Sequence, residues 1–264
     1  MRLRCWTPTL QSALIAVAES VENKLLPQLS TEEIRSRLAL SFTANLPPEN
    51  PYPVEVNLST PRSAAVLTPL FQENHEWKLL FIRRTFHEND LHSGQVAFPG
   101  GRCEPQDPNP ETTALREAAE EVGIQPQMVD VLGRLRDMLT ISHYRVSPIV
   151  GKIPWPKPLT PQPDEVSRIF SIPLAWLADP KNRDVHFQTI PILGKTVPVI
   201  YFKPFDGEIL WGATARITIL LLEALGLADP RARYSPTKPR NPPPYGNPTN
   251  STASISFHPN PKTD

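Results

Sequence analysis

The chain has 264 residues, enough for one substantial domain with extensions or for two small ones. Its 27 basic and 27 acidic residues cancel, which supplies no general attraction to nucleic acid or to an anionic membrane, and neither is expected as a partner. Two cysteines, Cys5 and Cys103, can form neither a disulfide framework nor a CxxC zinc site, and with no apolar run of membrane-spanning length the expected setting is the reducing cytoplasm.

Proline, at 33 residues, argues for many loops and short elements. Near the start, Arg2 and Arg4 precede an apolar stretch at Leu14–Ala18. Thr7, Pro8, Thr9, Gln11 and Ser12 interrupt any export core, whereas Leu10, Leu14, Val17, Val21 and Leu25 fall at helical spacing. A second helix is expected from Ser30, where Ser30 and Glu33 make a capping box. Four prolines between Asn45 and Pro53 then read as a linker, so residues 1–58 form a helical N-terminal extension.

From residue 59 the pattern changes. Apolar stretches at 63–71 and 77–84 flank a polar turn at Gln72–Glu76 and predict a hairpin. A short strand at Gln95–Phe98 runs into Pro99-Gly100-Gly101, and a helix follows over 110–122. Further strands are expected at 129–136, 144–151, 184–190 and 196–203, with a closing helix at 212–225. Strands mixed with two separated helices predict an α/β or α+β sandwich over residues 59–228. Beyond Asp229, nine prolines among polar residues cannot bury enough apolar surface to offset ordering entropy. Residues 229–264 are therefore expected to be a disordered Pro-rich tail, inert or read through Pro242-Pro243-Pro244 by a proline-binding domain.

The chemistry concentrates in residues 100–124. Asn109 is a good N-cap, Pro110 suits the first helical position and Gly123 suits a C-terminal stop. On a helical wheel Ala114, Leu115, Ala118, Ala119 and Val122 cover an apolar arc of roughly 140°, and Glu117, Glu120 and Glu121 a separate arc of roughly 100°. The apolar arc is expected to face a core and the three carboxylates to converge on the other side. Such a cluster is often plain solvated surface, and Arg116 can pair with Glu120 at i+4. Its position after a Gly-Gly loop favours a functional role, because hard carboxylate oxygens at this spacing suit Mg²⁺ or Mn²⁺ bridging to phosphate.

This stretch resembles the Nudix box, Gly-x5-Glu-x7-Arg-Glu-U-x-Glu-Glu-x-Gly-U, where U is bulky and apolar. Arg116, Glu117, Glu120, Glu121, Gly123 and Ile124 match its second half in register. In the first half, Asp107 stands where the glutamate is expected from Gly101, and one extra residue separates it from Arg116. Leu79–Arg84, Gly94–Gly101, Thr113–Ala118 and Leu210–Arg216 are similar to signatures of the coenzyme A pyrophosphatases of this superfamily. Asn89, Asp90 and Leu91 stand where that subgroup carries an arginine. The resemblance covers roughly residues 62–226.

The resemblance implies the Nudix α/β/α sandwich with a mixed sheet and metal-dependent hydrolysis of a diphosphate linkage. Glu117, Glu120 and Glu121 would hold Mg²⁺ or Mn²⁺, with Glu120 or Glu121 as general base and Arg116 orienting a glutamate. A carbonyl of Gly100 or Gly101 would complete the metal shell. Glu165, in Pro163–Val166, is a candidate assisting glutamate or a loop-capping residue. Arg83 and Arg84 are candidate phosphate ligands or ordinary strand-end charges. His87 and His92 read as surface histidines, and Trp211 as a packing residue at the start of the last helix. The favoured substrate is coenzyme A or an acyl derivative. NADH, ADP-ribose or a nucleotide sugar is the alternative, and a non-catalytic nucleotide-binding module is a second. A homodimer is left open.

Overall fold

A computed structural model describes residues 29–42, 47–50, 60–88, 92–155, 158–190 and 194–230. The expected first helix, the polar tail beyond residue 230 and most of the linker lie outside them. The described elements are α1 (Thr31–Ser41), β1 (Arg62–Glu73), β2 (Glu76–Arg84), β3 (Val96–Ala97), β4 (Gly100–Arg102), α2 (Pro110–Val122), β5 (Asp130–Arg134), β6 (Met138–Leu139), β7 (Tyr144–Lys152), β8 (Val166–Pro173), α3 (Leu174–Ala178), β9 (Arg183–Ile190), β10 (Lys195–Phe202) and α4 (Gly212–Ala224).

An eight-stranded sheet runs β3-β2-β1-β7-β5, with β8 added on β2, β4 on β1 and β6 on β7. It is mixed: β1 and β7 pair in parallel from Arg62↔Tyr144 to Leu70↔Lys152, and the other pairings are antiparallel. The β1–β2 hairpin is tighter than the sequence suggests. Asn74 and His75 both take left-handed backbone angles, the requirement of a two-residue turn whose twist matches its strands. A second sheet is the β9–β10 hairpin.

Alternation along the strands sends side chains to two cores. Ala65, Leu67, Leu80, Ile82 and Ile149 meet Ala114, Ala118 and Val122 of α2 on one face. Leu70, Leu79, Phe81, Val146 and Val150 meet α1, α3 and α4 on the other. Helices on both faces of a mixed sheet make the expected α/β/α sandwich. Among the described residues no helix is long and apolar enough to cross a membrane.

Four elements escape the sequence reading, one of them the two-residue β6. β8 pairs with β2 from Lys78↔Pro173 to Arg84↔Val166, and its polar Ser167, Arg168 and Ser171 conceal it. β4 consists of two glycines and Arg102, with no strand propensity, and exists because β1 offers an edge. α3 is five residues long.

α1 starts at the expected capping box: Ser30 Oγ accepts from Glu33 N–H and Glu33 accepts from Ser30 N–H. It also belongs to the main core. Ile34 and Leu38 are fully buried, and Trp77 Nε1 donates to Leu29 O at 2.6 Å. The Glu49 backbone bridges to Met138, and its carboxylate is buried between Arg136 and Arg216. The change of pattern at residue 59 is thus not a change of core.

Candidate active site

α2 folds where the sequence places it. Asn109 Oδ1 accepts from Thr112 N–H at 2.9 Å, Pro110 is the first helical residue, and Gly123 ends the helix with φ 73°. The exposed carbonyls of the last turn find partners in the chain before β8. Thr160 N–H donates to Val122 O at 3.1 Å and Gln162 N–H to Glu121 O at 2.8 Å. This segment brings Glu165 to the helix. Thr85 N–H, just past β2, donates to Glu165 O at 2.9 Å, tying the same loop to the end of β2.

The three glutamates of α2 part company, contrary to the expectation that they converge on a face away from the core. Glu121 is 2% exposed and Glu120 is open to solvent. Glu121 Oε2 accepts from Gly100 N–H at 2.9 Å. Glu117 lies against Gly101, where a Cβ would stand 2.4 Å from its Oε1. Glu120 instead accepts from Arg116 Nη1 at 3.0 Å. The reason is that α2 is covered on two sides, by the sheet and by the Gly100–Gly101 strand, so its buried surface is wider than its apolar arc.

Burial sets the acidities. Desolvation drives the Glu121 carboxyl up to about 8, against the opposing Gly100 hydrogen bond and Arg84, with Glu117 and Glu165 adding repulsion. Glu117 is also raised, first by burial, while Arg116 beside it opposes and Glu120 and Glu165 add to the rise. Both effects show that Glu117, Glu121, Glu165 and Arg84 share one electrostatic neighbourhood.

Arg116 organises the entrance. Its guanidinium donates to Asp107 from Nε at 3.3 Å and Nη2 at 3.1 Å, and to the Arg102 carbonyl at 3.2 Å, and it pairs with Glu117 at 3.0 Å. Asp107 is held down to about 2, chiefly by these bonds from Arg116. The sequence marks Asp107 as the stand-in for the first-half glutamate but not as the chief partner of Arg116.

The adjacent arginines of β2 separate. Arg84 continues the row of Leu80 and Ile82 toward α2 and acts on Glu121. Arg83 points to the other face, 3.6 Å from Glu208, which Arg168 also holds at 2.8 Å. His87 and His92 are exposed, as expected. Trp211 stacks on Tyr201 at 5.6 Å, which matches a packing role.

The NUDIX domain model matches residues 60–192, about half the chain. The chain belongs to the Nudix family. A protein of Yersinia pestis (strain Pestoides F) named "Uncharacterized Nudix hydrolase NudL" is 37% identical over 197 residues, covering 73% of this chain and 95% of that protein. Similar solved structures include a MutT/nudix family protein from Enterococcus faecalis, at 15% identity and TM-score 0.39 over 79% of each chain. Another is the NUDIX domain of Shewanella oneidensis NrtR complexed with ADP ribose, at 19% identity and TM-score 0.35, covering 44% of this chain and 75% of that one. The fold is the mixed α/β Nudix fold, and the protein is a Nudix hydrolase that acts on a diphosphate linkage. Enzymes of this family generally use divalent metal ions.

The donors present suit such an ion in kind. Glu117 and Glu121 offer hard oxygens in a desolvated setting, where a cation would restore the ionisation that burial opposes. Among the described residues no three His, Cys, Asp or Glu side chains are already gathered around one point. Glu120 is the displaced member, turned to Arg116.

Proposed function

We propose that this Nudix hydrolase cleaves coenzyme A or an acyl-coenzyme A to 3′,5′-ADP and the corresponding phosphopantetheine, with Mg²⁺ or Mn²⁺ held by Glu117, Glu120 and Glu121. The placement of Glu117 and Glu121 against Gly100–Gly101, with Arg84 and Glu165 facing them, carries the hydrolytic part of this reading. The substrate part rests on the coenzyme A pyrophosphatase-like stretches Leu79–Arg84, Gly94–Gly101 and Leu210–Arg216. The structure supports a common use for them: Thr214 Oγ1 donates to Val96 O at 2.9 Å, joining the third stretch to the second just before Gly100.

When bound, the divalent ion would supply charge neutralisation on the diphosphate and acidify a water. The protein's own groups do the rest. Glu120 or Glu121, or Glu165 across the cleft, takes a proton from the attacking water as its oxygen bonds to phosphorus. The bridging oxygen leaves with the other phosphoryl group, so two phosphomonoesters form. Arg116 fixes Glu117 and Glu120 through its own tie to Asp107. Arg84, which acts on Glu121, would meet phosphate in preference to Arg83, which lies by Glu208, and a carbonyl of Gly100 or Gly101 would serve the ion. The catalytic groups lie within residues 59–228, on a core that α1 also builds, and the enzyme acts in the cytoplasm, as a monomer or homodimer.

A substrate panel tests the reading. With Mg²⁺ or Mn²⁺, the full chain should release 3′,5′-ADP from coenzyme A faster than AMP from NADH or ADP-ribose. The reverse order would reject coenzyme A while leaving the hydrolase assignment intact.

A further inference from the structure

A second polar cleft, of about 240 Å³, lies beside the N-terminal end of α2. Ser63 of β1, Arg145 and Ser147 of β7, Arg134 of β5 and Pro110 of α2 line it. Glu117 is seven residues further along α2, which at 1.5 Å per residue is roughly 10 Å away. Neither the α2 glutamates nor Gly100 or Gly101 line the cleft, so it is not the place where they meet.

Its base is a buried carboxylate. Asp137 is 8% exposed and spends both oxygens on fixing two guanidinium groups. Arg134 Nη2 and Ser147 Oγ donate to Oδ1 at 2.6 and 2.8 Å, and Arg145 Nε donates to Oδ2 at 2.6 Å. These bonds hold the inner edges of the arginines. Arg145 remains half exposed, and no described residue takes a hydrogen bond from its two Nη atoms. Arg134 Nε is buried among the described residues with no hydrogen-bond partner. Two guanidiniums against one carboxylate leave one positive charge, and the partial positive end of α2 adds to it. Glu111 in the first turn of α2 is exposed and works against it.

A pair of arginines pre-oriented by a buried carboxylate, with the two Arg145 Nη groups left over in an open cleft, is suited to a planar or tetrahedral oxyanion. We propose that this cleft is an accessory site for a phosphomonoester, held by Arg145 and Arg134. Phosphomonoesters are what diphosphate hydrolysis releases, so the site can sense product at a distance from the glutamates.

Cys103 also lines the cleft and is a free thiol, which provides a local reporter. Alkylation of the full chain by iodoacetamide, followed site by site with mass spectrometry, should slow at Cys103 at least threefold in saturating inorganic phosphate or AMP. Chloride at equal ionic strength should have no effect. The protection should persist in Glu121→Gln. In Arg145→Gln the phosphate concentration for half-protection should rise at least tenfold, with the thermal midpoint unchanged within a few degrees. Inorganic phosphate and AMP acting alike would place recognition in the phosphate, and stronger binding of AMP would add the nucleoside. Absence of protection, equal protection in Arg145→Gln, or protection lost in Glu121→Gln would each overturn the proposal.

Discussion

Gly100 and Gly101 are neighbours with opposite neighbourhoods, so adding one methyl group to each separates catalysis from folding. At Gly101 the three atoms nearest the new Cβ all belong to the Glu117 carboxylate, with Cδ and Oε1 at 2.4 Å and Oε2 at 2.6 Å. Ordinary contact needs roughly 1 Å more, and a glutamate side chain can give that much by rotating. Gly101→Ala should therefore fold normally but carry a misplaced Glu117, and a 1 Å misplacement in a catalytic centre costs on the order of 100-fold in rate. At Gly100 the Cβ would stand 2.4 Å from the Ala65 carbonyl oxygen and 2.6 Å from Val66 Cα, both backbone atoms of the β1 partner. That strain cannot be relieved by a rotamer. Overpacking of this kind costs about 1–3 kcal/mol, a fall in melting temperature of roughly 2–12 °C for a domain of this size. Calorimetry and kcat/KM for release of phosphomonoester, measured on both variants, check the pair. Full activity in Gly101→Ala would refute the role of Glu117. A melting temperature lowered as much as in Gly100→Ala would refute the claim that the side chain yields.

Three further substitutions address other parts of the machinery. Glu121→Gln keeps an acceptor for Gly100 N–H and removes the carboxyl that a metal ion would need ionised, so it should retain the melting temperature while losing nearly all Mg²⁺-dependent turnover. Asp107→Asn removes the carboxylate that anchors Arg116 and should cost about 2 kcal/mol, the range for hydrogen bonds to charged groups. Because the folded Asp107 carboxyl is held near about 2, below its ordinary 3.8, its stabilisation is complete above pH 4 and is lost as pH falls toward 2. Acid unfolding followed by circular dichroism should show a shallower transition in that window for the variant. Glu49→Ala takes the carboxylate from between Arg216 and Arg136 and should cost about 3–5 kcal/mol, whereas Glu49→Leu with Arg216→Leu should recover part of the loss.

Elements that carry their own local signals were legible in the sequence. α1 and α2 begin where Ser30 and Asn109 cap them, and the β1–β2 hairpin and the β9–β10 hairpin lie within a residue or two of the expected spans. The elements that were missed depend on a partner distant in sequence. β4 is a strand only because Ala64, Ala65 and Val66 pair with it, and β8 only because β2 offers Lys78–Arg84. α1 illustrates the same limit at the level of domains. A proline-rich segment follows it, which reads as a linker, yet Arg35 donates to Val131 O and Lys152 donates to Thr31 across the fold.

The glutamates of α2 show why a helical wheel reads chemistry less well than it reads a helix. The wheel assigns one inside and one outside, and Glu121 falls outside with Glu117 and Glu120. In the fold, Gly100 and Gly101 lie beside the helix, and the loop from Thr160 to Glu165 closes over its last turn. Glu121 is then buried with the Gly100 N–H donating to its carboxylate and with Arg84 opposing the desolvation. Gly101 is needed less for its backbone angle than for the space that the Glu117 carboxylate fills, and Gly100 for its close approach to β1. The Gly-Gly pair and the glutamates are thus one feature, read in the sequence as two. Burial runs from Glu121 at 2% exposed, through the part-buried Glu117, to the open Glu120, and desolvation opposes ionisation of the first two.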